Sequence, residues 1–75
     1  MNAHTRNIRI TSEYITLGQL LKFADIVSSG SEAKIFLQEN EILVNGVPDN
    51  RRGRKLRDGD VVEIKSEKIV IKQWD

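Results

Sequence analysis

Cysteine is absent from this 75-residue chain, which also has only one histidine, one proline, one tryptophan, one tyrosine and two phenylalanines. Without cysteine there is neither a disulfide framework nor a thiolate metal site, a composition that suits a reducing cytoplasm. The one imidazole, His4, lies in a polar N-terminal stretch rather than near other candidate catalytic groups. Long apolar runs are missing too: the longest are a few residues, far short of the roughly 20 that span a bilayer. The opening MNAHTRNIRI lacks the apolar block of a signal peptide. These absences lead us to expect a cytoplasmic protein with no membrane contact. An excess of one charge sign is also missing. Twelve Lys and Arg against eleven Asp and Glu leave a net +1, so any nucleic-acid reading must rest on where the charge sits.

The charge is sorted. In DNRRGRKLRDGD, Asp49 to Asp60, the residues Arg51, Arg52, Arg54, Lys55 and Arg57 place five of the twelve basic groups within seven positions. The other 68 residues then sum to −4.

The length allows one small core. We expect a flexible tail over 1–6 and a single domain over 7–75. NIRI, Asn7 to Ile10, alternates polar and apolar residues as a half-buried strand does, but its partner must lie elsewhere in the chain. Thr16 and Gln19 have capping-box spacing, and Leu17, Leu20, Leu21 and Ala24 recur at helical intervals behind them. Ser29 and Glu32 repeat the device ahead of Ala33, Phe36 and Leu37, which predicts a second helix. Asn40 is then expected to leave that helix in a left-handed conformation. After Asn40 the period shortens. Asn45-Gly46 between ILV and V is a strong hairpin signal, Pro48 should limit the second strand, and Asp58-Gly59 marks another turn. VVEIK and the β-branched IVIKQW read as strands on either side of SEK.

The ordered set TLGQLLK, SGSEAK, ILVNG, DNRRGRK and GDVVEI resembles the S-four-type RNA-binding domain, also called the alpha-L RNA-binding motif, and in particular its stand-alone YaaA-like branch. The similarity covers about Ile15 to Lys65. It implies an α/β (α+β) fold with two packed helices against a small bent β-sheet, and it implies binding of structured RNA through the second helix and the loops after it. Matched position by position, Ser28, Ser29, Ser31 and Glu32 correspond to the serine-rich turn and helix start, and Lys34 to a usual basic helix position. The chain departs at Gly30, where many members have Arg, and at Ile35, where a second basic residue is common. Thr16-Leu17-Gly18 replaces the usual Arg-Leu-Asp opening. These departures leave the basic loop to compensate.

Guanidinium forks hold two phosphate oxygens at once, which suits an arginine-rich phosphate site. Gly53 would let the backbone bend or approach a ligand closely. Ser29 and Gly30 would add the free N–H groups of a helix start. The alternative is a solvated loop whose arginines pair with Asp49, Glu41 or Asp60 and bind nothing, since exposed pairs are worth only about 0–1 kcal/mol. Lys34 and Lys22 are weaker candidates, each readable as an ordinary exposed helix lysine. Phe23 and Phe36 have helical spacing and are expected in the core. Tyr14 and Trp74 would cover the sheet or stack on a base. No aromatic is interleaved with the basic run, which favours folded RNA held by its backbone over a single strand.

The resulting expectation is a non-catalytic protein with no metal and no cofactor, whose RNA-binding residues are Arg51, Arg52, Arg54, Lys55, Arg57, Lys34, Ser29, Gly30 and Lys22. Its partner would be ribosomal or tRNA-like RNA, or a ribosomal particle; oligomeric state is left open. The competing reading is a protein-interaction adaptor that offers the same loop to an acidic protein surface. Enzymatic chemistry fits poorly, because Asp58 and Asp60 are better explained by turn formation than as a metal pair.

Overall fold

Thr16 and Gln19 close their capping box in both directions, the Gln19 N–H donating to Thr16 Oγ1 at 3.2 Å and the Thr16 N–H to Gln19 Oε1 at 3.0 Å. They start α1 (Leu17–Phe23), whose expected face of Leu17, Leu20 and Leu21 is fully buried. Asp25, with φ 63°, turns the chain out of this helix. In the computed structural model, residues 4–65 and 67–73 are described; Trp74 lies outside them.

The second helix, α2 (Gly30–Glu39), follows almost at once. Ser29 Oγ accepts the Glu32 N–H at 3.1 Å, as expected. The reciprocal half is displaced by one residue: the Glu32 carboxylate accepts from both the N–H and the hydroxyl of Ser28, each at 2.6 Å. Those two bonds, hydroxyl first, hold the Glu32 carboxyl below its ordinary pKa. At the other end Asn40 is extended (φ −131°), not left-handed. Its side-chain amide and its backbone N–H both donate to the Phe36 carbonyl at 3.0 Å. The helix end is therefore satisfied without a reversal, and the chain runs straight into the next strand.

Strands β3 (Ile42–Val44) and β4 (Val47–Pro48) form the expected hairpin, with Asn45 at φ 53° and Gly46 at φ 84°. Both central residues are left-handed, as a primed two-residue turn requires. Strands β6 (Val61–Ile64) and β7 (Glu67–Gln73) pair antiparallel, and β6 also pairs with β3. The partner of the N-terminal strand proves to be the last one. β1 (His4–Ile10) runs parallel to β7 from His4↔Glu67 to Ile10↔Gln73, giving the order β1-β7-β6-β3-β4.

This pairing corrects the expected tail over residues 4–6, which belong to the strand; residues 1–3 of that tail lie outside the described ones. Arg6 explains why: its Nε lies 2.7 Å from the Glu67 carboxylate, and its guanidinium donates to the Ala24 carbonyl at 2.9 Å. Ile42, Val44, Val62, Ile64, Ile69 and Ile71 line the buried side of the sheet and share one cluster with the helices. Phe36 is half-buried against that cluster, whereas Phe23, also expected inside, is 62% exposed. Two helices against a mixed sheet make an α+β fold of the kind expected.

Candidate nucleic-acid interface

The basic run is bound to α1 through its backbone. The first helical N–H groups have no partner within their own turn; here Leu17 donates to the Arg54 carbonyl at 2.8 Å and Gly18 to the Arg52 carbonyl at 2.9 Å. Lys55–Leu56 form β5, paired antiparallel with β2 (Ile15–Thr16) in a separate two-stranded ribbon. Leu56 is fully buried and anchors the segment in the core. The close approach falls at Gly18, where a Cβ would lie 2.5 Å from Arg52 Cγ. At Gly53, by contrast, a side chain would meet open space and the backbone is not left-handed.

The five cations of the run have different partners. Arg51 grips Asp49 bidentately, with Nε to Oδ1 at 3.0 Å and Nη2 to Oδ2 at 2.8 Å, and its backbone N–H adds a third bond at 3.0 Å. Arg54 Nη1 stands 3.8 Å from the same carboxylate. The Arg51 side chain, with smaller contributions from its N–H and from the Arg54 charge, lowers the Asp49 pKa to about 2. For Arg51 and Arg54 the ion-paired alternative is thus largely realised.

Arg52 points the other way. Its Nη1 donates to the Gly30 carbonyl at 3.2 Å, which ties the loop to the start of α2. Arg52, Gly30, Lys22, Gln19 and Gly18 line one small groove of about 270 Å³, so three expected site residues from three separate segments meet there. Ser29 adjoins it as the helix N-cap. Lys34 is exposed farther along α2 and does not line the groove.

Lys55 and Arg57 lie over Tyr14, with Nζ 4.9 Å and Cζ 5.5 Å from the ring centroid. Both distances are within cation–π range. Arg57 also approaches Glu13 at 3.8 Å. Asp60 accepts the Arg57 N–H at 2.7 Å and the Asn45 amide at 3.1 Å, and Asp58 accepts the Gln73 N–H at 2.7 Å. These acids hold backbone in place, which accords with turn chemistry.

Sequence reasoning did not place Gly18 and Gln19 at the groove, put Phe23 in the core, and offered Tyr14 only as a ring that covers the sheet or stacks on a base. Phe23 had a usable signal: it falls roughly a third of a turn off the stripe of Leu17, Leu20, Leu21 and Ala24. The association of Tyr14 with the basic run had no signal, since it depends on the β2–β5 ribbon.

A family model described as the S4 domain matches residues 8–72. Over 57 residues the chain is 67% identical to the probable ribosome maturation protein RlbA of Bacillus subtilis (strain 168), a stretch amounting to 76% of this chain and 80% of that protein.

Proposed function

The chain belongs to the S4 domain family, and from that premise we propose that it is a cytoplasmic, non-catalytic RNA-binding protein that grips the phosphate backbone of folded RNA. The observation that carries this reading is the convergence of Arg52, Lys22 and the start of α2 on one groove. Arg52 uses one guanidinium nitrogen on Gly30, which orients the rest of the fork for phosphate oxygens. The N–H groups of the first turn of α2 and the Lys22 ammonium complete an anion site. Docking of the loop backbone on α1 fixes this arrangement before RNA arrives, so little ordering cost remains at binding.

Lys55 and Arg57, steadied on Tyr14, extend the positive surface along the ribbon. Arg51 and Arg54 serve chiefly to brace the loop through Asp49. The name of the Bacillus subtilis relative supports ribosomal RNA, within a ribosomal particle, as the partner.

Titration of a structured RNA at several salt concentrations tests the reading. Each phosphate engaged contributes about 0.7–0.9 to the slope of log affinity against log salt. Arg52→Ala should reduce that slope by about one unit and weaken unrelated folded RNAs to similar extents, because phosphate contacts position without reading sequence. Arg51→Ala should change the slope less. A folded Arg52→Ala protein with the original affinity and slope would overturn the assignment.

A further inference from the structure

A second groove, of about 540 Å³, adjoins the one that holds Arg52. It is walled by Tyr14 and Phe23, and it shares Gln19 and Lys22 with the first. We infer that it receives an unpaired nucleobase, stacked on Phe23, from the same RNA whose backbone lies on the basic loop; this deepens the proposed function and rests on it.

Three observations select that occupant. The first is the exposure of Phe23, at 62%, in a helix whose apolar face is otherwise fully covered. Nothing in the packing of α1 requires an aromatic there, since Leu17, Leu20, Leu21 and Ala24 already meet the core. The second is the company the ring keeps. Gln19 lies one helical turn before it on the same side; its Oε1 is held by the Thr16 N–H, which leaves its amide N–H groups to donate to a base edge. Tyr14, 37% exposed, forms another aromatic wall.

The third is charge. Lys22 stands on the boundary between the two grooves, and Lys55 and Arg57 crowd the Tyr14 ring. A ligand seated there is therefore apolar and planar in its body and anionic at its attachment. A nucleotide has that form, and the phosphate next to it would reach Lys22. Folded RNA offers such bases where a helix is interrupted by a bulge or a loop, the places where unstacked bases are available to aromatic side chains.

The test compares a blunt RNA duplex with the same duplex carrying one bulged 2-aminopurine nucleotide. The full chain should bind the bulged duplex more tightly and lower its 2-aminopurine emission as the base stacks. Phe23→Leu, which keeps an apolar side chain but removes the π face, should weaken the bulged duplex by about 5- to 100-fold, leave the blunt duplex unchanged and abolish the emission change. Phe23→Trp should retain all three behaviours. Circular dichroism confirms that both variants fold. Equal binding of the two duplexes by the unsubstituted chain, or an equal loss on both in Phe23→Leu, would overturn the base site while leaving the phosphate grip standing. Failure to bind either duplex would overturn the RNA reading as a whole.

Discussion

Gly18→Ala tests whether the basic run is docked or free. In an ordinary helix the change is favourable, because Gly is less stable than Ala by about 0.5–1 kcal/mol. Here the new Cβ would lie 2.5 Å from Arg52 Cγ and 3.3 Å from both Arg52 Cδ and the Arg52 carbonyl oxygen. Cγ is too near the backbone to swing clear by itself. A χ1 change would move it but would also carry the guanidinium off the Gly30 carbonyl, and a backbone shift would strain the Gly18 N–H bond to Arg52, now 2.9 Å.

Overpacking of this kind costs about 1–3 kcal/mol, and the hydrogen bond about 0.5–1.5 kcal/mol more if it is lost. Set against a helix gain of at most about 1 kcal/mol, the net destabilisation spans about 0.5–3.5 kcal/mol and centres on about 2 kcal/mol. For a domain of this size that lowers Tm by roughly 5–15 °C. Thermal melts followed by circular dichroism give the reading, with Gly53→Ala as the control, since its Cβ would meet nothing and its effect should stay within about 0.5 kcal/mol. Gly18→Ala should also weaken RNA binding, because Arg52 is displaced from the groove. A Gly18→Ala protein that melts at or above the original temperature would refute the docked loop.

The other predictions concern the hairpin and the loop brace. Gly46, at φ 84°, tolerates no β-branched side chain without strain, so Gly46→Val should destabilise the fold by at least about 1–2 kcal/mol in a urea titration; an unchanged midpoint would contradict the primed turn. Asp49 has a folded pKa of about 2 against about 3.9 when unfolded. Its contribution is therefore fully present above pH about 4 and is lost as the pH falls toward 2. Stability measured across that window should fall more steeply for the unsubstituted chain than for Asp49→Asn, and parallel curves would remove Asp49 as the brace.

Signals contained within a few residues are legible in the chain itself. The Thr16–Gln19 pair, the leucine stripe behind it and Asn45-Gly46 each specify a local geometry through bonds that close over two to four positions. The second helix start is half legible: Ser29 caps as expected, but Glu32 has two donors on Ser28 within reach and takes them. Asn40 departs from its expected left-handed conformation because its amide can satisfy Phe36 directly, a bond that conformational preference alone does not include. At the candidate site, the clustering of Arg51, Arg52, Arg54, Lys55 and Arg57 is visible at once. Their division of labour is not, because all five carry the same charge at neighbouring positions.

What the sequence determined by itself was thus the two helices, the hairpin, the last two strands and the location of the positive charge, since helical period, turn chemistry and composition act along the chain, whereas the short β2–β5 ribbon carries no local signal. The tertiary structure alone decided how these are joined. Parallel pairing of β1 with β7 brings His4 beside Glu67, and the Arg52 side chain reaches Gly30 across 22 positions. It also left Phe23 outside the core and set Tyr14 beneath Lys55 and Arg57. Contacts between distant segments depend on register and on angstrom-scale approach, to which a local period is blind, and at Gly18 the missing side chain becomes meaningful only once Arg52 has been placed against it.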